Sequence, residues 1–169
     1  MKRDSLLSYE FKRNNQHDNI EALHYGGSIA VRESKFATVG KWTFAAAQVP
    51  GFLFPAQGGA IGSFVLVDPN GNPCYIPQGA LVTKVYIDPT ISNPTSSGAA
   101  TIAFQLQTSA DLKAATSYSS FTAVLDGIPA NTAASAIKLT ADQPLTMVVA
   151  GAALTGGIIN VIVEYVISL

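Results

Sequence analysis

The run Ala80-Leu81-Val82-Thr83-Lys84-Val85-Tyr86-Ile87-Asp88 decides how this chain folds. Its side chains alternate, with Leu81, Thr83, Val85 and Ile87 predicted on one face and Val82, Lys84 and Tyr86 on the other. A period of two belongs to a half-buried β-strand. Residues 100–107 repeat the pattern, Ile102, Phe104 and Leu106 being separated by Ala103, Gln105 and Gln107. Between the two runs, Ser92, Asn93, Pro94, Thr95, Ser96 and Ser97 mark residues 89–98 as a loop. Working outward, further strands are predicted over 28–32, 41–47, 60–67, 118–124, 136–140, 145–150 and 158–168. Asp68-Pro69-Asn70-Gly71-Asn72-Pro73 is turn chemistry, residues 109–115 read as a helical turn or loop, and Gly156-Gly157 reads as a turn between the last two strands. The last strand is apolar on both faces (Ile158, Ile159, Val161, Ile162, Val163), as a central strand should be. Short strands with almost no helix indicate an all-β protein, a jelly-roll-like antiparallel sandwich of about eight strands. A closed barrel is the competitor that spacing alone leaves open.

The charges are the next clue. The chain has 169 residues, of which only 12% are charged, and its formal net charge is −1. Soluble domains carry about 25% charged residues, and a near-neutral chain is a poor binder of nucleic acid by bulk attraction. Twelve of the 21 charges lie in residues 1–41, leaving nine for the 128 residues that follow. Ala, Gly, Ser and Thr fill the gap. Charge depletion is a mark of interface cores, so the body is expected to cover much of its exterior with copies of itself or a larger assembly. A neutral Ser/Thr surface of a secreted β-protein is the blander alternative.

Residues 1–35 are read as an extended N-terminal arm and 36–169 as the sandwich domain. Within the arm, Asp18 and Glu21 have capping-box spacing, which predicts a short helical turn over 18–25. Lys2, Arg3, Lys12 and Arg13 are its basic candidates for contact with acidic patches on a partner. The first residues lack the apolar stretch of a secretory signal. Residues 145–163 carry no charge, but Gly151, Thr155, Gly156, Gly157 and Asn160 interrupt them, so strands are expected there and no membrane span.

The chemical inventory is short. His17 and His24 are the only histidines, both in the arm, and are read as solvated side chains, not metal ligands. Cys74 stands alone, which excludes an internal disulfide, and is expected as a small buried residue. Gly58-Gly59-Ala60-Ile61-Gly62 precedes a strand, whereas a phosphate cradle needs a helix N-terminus. Asp88 and Asp126 are read as turn residues at strand ends. Trp42, Phe44, Phe52, Phe54 and Phe64 cluster early in the body and are read as packing or interface aromatics in preference to a sugar-stacking platform. No cofactor, metal site or catalytic group is expected.

Four stretches carry a family likeness. They are Ile76-Pro77-Gln78-Gly79 running into the 80–88 strand, Gly98-Ala99-Ala100-Thr101-Ile102-Ala103-Phe104-Gln105-Leu106, Ala136-Ile137-Lys138-Leu139-Thr140-Ala141-Asp142, and Ala153-Leu154-Thr155-Gly156-Gly157 leading into Val161-Ile162-Val163-Glu164-Tyr165-Val166. In that order they resemble small structural proteins of tailed bacteriophages, among them capsid decoration (cement) proteins with a jelly-roll-like sandwich. The likeness covers roughly residues 76–168 and supplies no role for the long N-terminal portion. It implies a non-enzymatic virion protein on the outer surface of the capsid, bound to the major capsid protein and to copies of itself, as a homotrimer; the anchoring role expected of residues 1–35 comes from their own polar, basic sequence and not from the likeness. A tail, neck or fibre component, or a carbohydrate-binding adhesion module built on Trp42, are the rival expectations.

Overall fold

The structure, a computed structural model, describes residues 23–25, 28–30, 35–49, 52–68, 70–128 and 136–167. Two units can be told apart, one ending at Lys35 and one running from Phe36 to Leu169. In the first, β1 (Leu23–Tyr25) pairs antiparallel with β2 (Ser28–Ala30). Residues 23–25 are therefore strand and not the helical turn that the capping-box spacing predicts; Asp18 and Glu21 lie outside the described residues.

The second unit is built from β3 (Lys35–Thr43), β4 (Ala47–Val49), β5 (Phe52–Phe54), β6 (Gly62–Val65), β7 (Tyr75–Ile76), β8 (Ala80–Ser96), β9 (Thr101–Gln105), β10 (Lys113–Ser117), β11 (Leu125–Asp126), β12 (Gln143–Pro144), β13 (Thr146–Ala150) and β14 (Leu154–Ile167). Eight of them form two four-stranded sheets, β11-β8-β14-β3 and β10-β9-β13-β6. The pairs β4-β5 and β7-β12 are small two-stranded additions. Counting only the eight, one sheet holds the sixth, third, eighth and first strands and the other the fifth, fourth, seventh and second. That is the strand order of a jelly roll, and it settles sandwich against closed barrel.

One core fills the space between the sheets. Trp42, Val82, Val85, Ile87, Ile159, Val161 and Val163 point in from the first sheet and meet Ile102, Phe104, Met147 and Val149 of the second. Phe121, just after a 3-10 turn over Tyr118–Ser120, drops into the same core and meets Phe104 edge-on at 6.3 Å. Each fully buried side chain of this size contributes about 1.5–3 kcal/mol of apolar burial. The core therefore holds the sheets together without any disulfide.

Several local expectations are corrected. The inward set of β8 is Ala80, Val82, Val85 and Ile87, so Val82 belongs with Val85 and not opposite it. The cause is a bulge: Val82 pairs with Tyr165 and Lys84 with Glu164, which leaves Thr83 as an extra residue. Thr83 is satisfied by donating its hydroxyl to the Glu164 carbonyl at 3.1 Å. One inserted residue flips every side chain beyond it.

Residues 89–96 continue β8 and are not a loop, and Gly156-Gly157 lies inside β14 and is not a turn; the two segments pair with each other through a series of register shifts. The apolar stretch 145–163 forms β13 and part of β14. Among the described residues, no helix is long and apolar enough to cross a membrane. The segment over 118–124 is a 3-10 turn and irregular chain, and 136–140 contributes only one bridge, Leu81 to Lys138.

Candidate interaction surface

Charge is divided between the two outer faces of the sandwich. On the sheet of β3, β8, β11 and β14, pairing sets Asp126 beside Tyr86, Tyr86 beside Ile162, Lys84 beside Glu164 and Asp88 beside Asn160. The Lys84 ammonium sits 4.4 Å from the Tyr86 ring centroid, a cation–π contact. Its polar contact with Tyr86, helped by Asp126 and Glu164, holds the ammonium pKa above the usual lysine value. Asp88 accepts hydrogen bonds from the Thr90 hydroxyl and, at 2.9 Å, from the Thr90 backbone N–H. Those bonds, the hydroxyl first, hold its carboxyl below the ordinary range. Lys41 of β3 is buried, and burial lowers its pKa while attraction to Asp88 opposes the shift. Asp88 thus sits in mid-strand with Thr90 as its partner, not at a strand-ending turn.

Among the described residues, the other outer face carries no charge. Residues facing away from the core line up as Val65–Thr146–Gln105, Ser63–Val148–Ala103 and, at the far end, Ala150–Thr101–Ser117. Ile61 precedes β6 and is 61% exposed, and Val65 is 37% exposed. Lys113 of β10 is aligned with inward-facing Phe104, and its ammonium donates to the Asp126 carbonyl at 2.8 Å, away from this face. The edges of this sheet are blunted. The Gln57 amide donates to the Val65 carbonyl at 2.7 Å, and the Thr116 hydroxyl to the Ala114 carbonyl at 2.9 Å. An edge carbonyl already occupied is a poor template for an added strand. What remains open to a partner is the face, at Ser63, Val65 and Ala150, while Ala103 and Thr146 on its central strands are buried.

Sequence reasoning missed this face because no single segment makes it. The signal was present nonetheless: residues 42–67, 89–110 and 143–163 are each free of charge, and they supply β6, β9 and β13.

The aromatic candidates separate. Trp42 is fully buried, and its indole N–H donates to the Gly58 carbonyl at 3.0 Å. It presents no ring face to a sugar. Phe44 and Phe64 are partly buried against the core. Phe52 and Phe54 are placed as backbone of β5, paired with β4, and their side chains lie outside the described residues. Lys2, Arg3, Lys12, Arg13 and His17 lie outside the described residues, and so does the side chain of His24. Gly59 approaches the backbone of Leu154 so closely that a Cβ there would stand 2.3 Å from the Leu154 carbonyl oxygen, which gives the glycine run a packing role.

Among the described residues, no three His, Cys, Asp or Glu side chains group as a metal site would need. Asp111 is a loop clamp, accepting the backbone N–H groups of Leu106, Gln107 and Thr108 at 2.7, 2.9 and 2.9 Å. Cys74 is buried, lies 3.4 Å from the Val39 carbonyl, and burial pushes its thiol pKa up to about 11 from 9.0. The thiolate is the reactive form. At pH 8 a thiol-specific dye is expected to label the folded protein at least a hundredfold more slowly than the protein in denaturant; equal rates would contradict the burial of this side chain.

The fold has counterparts among solved structures. A chain from the Cyanophage Pam1 capsid asymmetric unit superposes with a TM-score of 0.52 at 15% identity, over 90% of this chain and 95% of that one. A chain from the acidic stable capsid structure of Helicobacter pylori bacteriophage KHP30 gives a TM-score of 0.48 at 14% identity, over 80% of this chain and 93% of that one. No protein-family model matches the sequence, and no curated protein matches it. At such identity the likeness to the cyanophage capsid chain is one of fold, and it runs nearly the full length of both chains.

Proposed function

We propose that the chain is a non-enzymatic structural protein of a bacteriophage virion, and within the virion a capsid decoration (cement) protein. It sits on the outer surface of the head, binds the major capsid protein and associates with copies of itself as a homotrimer, with residues 1–35 as its anchoring arm. The observation that carries the reading is the jelly-roll sandwich shared end to end with a chain of a cyanophage capsid. The charge pattern supports it independently. Nine charges over 128 residues is too few for a surface that faces only water, and one whole sheet face has none. The glycan-binding alternative loses its platform, because Trp42 is in the core.

The test is quantitative imaging and protein stoichiometry of particles that contain this chain. Hundreds of copies spread over the head are expected; a handful confined to a vertex or tail would replace the cement reading with the tail or neck one. In reconstitution on heads lacking the protein, deletion of residues 2–25 is expected to lower occupancy at least tenfold while the circular dichroism spectrum of the sandwich is kept. Unchanged occupancy would remove the arm from the attachment.

A further inference from the structure

We infer that the uncharged outer face of β6, β9, β10 and β13 is laid against the shell, while the charged face of β3, β8, β11 and β14 is turned to water. The inference rests on the proposed capsid role and adds which side of the sandwich attaches. A charged side chain pressed against protein without a partner loses its hydration, so the face with Lys84, Asp88, Asp126 and Glu164 is the expensive one to cover. The opposite face offers Ile61, Ser63, Val65, Val148 and Ala150, which can be desolvated without stranding any charge; Ala103 and Thr146 between them are already buried. Its edge carbonyls at Val65 and Ala114 are occupied by Gln57 and Thr116, so contact is through the face and not by strand addition.

Area decides between a second copy and a larger surface. Four strands about 4.8 Å apart, three of five residues and one of four, at about 3.3 Å per residue make a face of roughly 300 Å². A stable interface between two proteins needs about 800 Å² from each partner. A pair of these faces is therefore too small to hold two copies together in solution. Three such faces carried by one trimer reach about 900 Å², and linked weak contacts reinforce one another on a repeating surface. The occupant that fits is the repeating protein surface of the assembled shell.

The experiment compares wild type, the double variant Ser63→Glu/Ala150→Glu and the single variant Lys84→Glu on heads lacking this protein. Both variants change the net charge by −2, one on each face, and all three positions are exposed. Matching thermal melts establish that each variant is folded before binding is read. Wild type and Lys84→Glu are expected to fill the heads equally, and the double variant to need at least a tenfold higher concentration for the same occupancy. Wild type that fails to bind would overturn the capsid reading and the inference with it. Wild type that binds while the double variant matches it would overturn the inference alone. If the double variant instead breaks a soluble oligomer of the free chain, seen by sedimentation, the face belongs to a second copy and the inference fails.

Discussion

Trp42→Ala is expected to be the most destabilising single truncation in the sandwich, by about 3–5 kcal/mol, as large aromatic-to-alanine changes in packed cores are. The indole is fully buried between β3 and the facing sheet. Its loss would leave a cavity and would also orphan the Gly58 carbonyl, which the indole N–H now satisfies at 3.0 Å. Against a total stability of about 5–15 kcal/mol for an ordinary domain, that is at least a fifth of the margin. The melting temperature should fall by about 10–15 °C, given roughly 3 °C per kcal/mol at this size. Because Trp42 is the sole tryptophan, the unfolding must be followed by far-ultraviolet circular dichroism. Trp42→Phe keeps most of the volume and loses the N–H, and is expected to fall between wild type and alanine. A melting temperature unchanged in both variants would mean that the ring is not a core element, and the sugar-platform reading would return.

The features legible in the sequence were those set by local periodicity. The alternation of residues 100–107 places Ile102 and Phe104 inward, as the structure has them. The apolar run from Ile158 makes β14 a central strand, between β8 and β3.

What was not legible depends on contacts distant in sequence. Thr83 is an extra residue only because of how β8 pairs with β14 some 80 positions later, and no pattern within 80–88 reveals it. The hydroxyl-rich segment 89–96 has the composition of a loop. It is strand because β14 supplies partners: Thr95 meets the Thr155 hydroxyl at 3.1 Å, and Ser96 donates to the Ala153 carbonyl at 2.7 Å. Prolines are tolerated in such a strand where the pairing is irregular, and register shifts run all along this part of the hairpin. The charge-free stretches that build the uncharged face are legible, but not their assembly into one face, since its rows cross four strands in the order β10, β9, β13, β6.

Gly157→Ala should show how tightly that unforeseen hairpin is closed. Gly157 has φ +125°, a backbone region that residues with a Cβ rarely enter. A Cβ there would stand 2.6 Å from Pro94 Cα and 3.0 Å from Pro94 N, and both are backbone atoms that a rotamer change cannot move. The Gly157 carbonyl also accepts the Phe44 backbone N–H at 3.1 Å, so displacing β14 here would pull on the chain leaving β3. Strain at such a position costs about 1–3 kcal/mol and forced overpacking a similar amount, so a loss of about 2–4 kcal/mol is expected. Gly62→Ala is the control. Its φ of +145° is comparable, but nothing stands within 4 Å of the added Cβ, so only the conformational part should appear. Denaturant unfolding of the two variants separates strain from contact: Gly157→Ala should lose clearly more stability than Gly62→Ala. Equal losses would mean that β8 and β14 are not pressed together at Pro94, and the continuous long hairpin, with the glycine pair inside a strand, would have to be given up in favour of a turn.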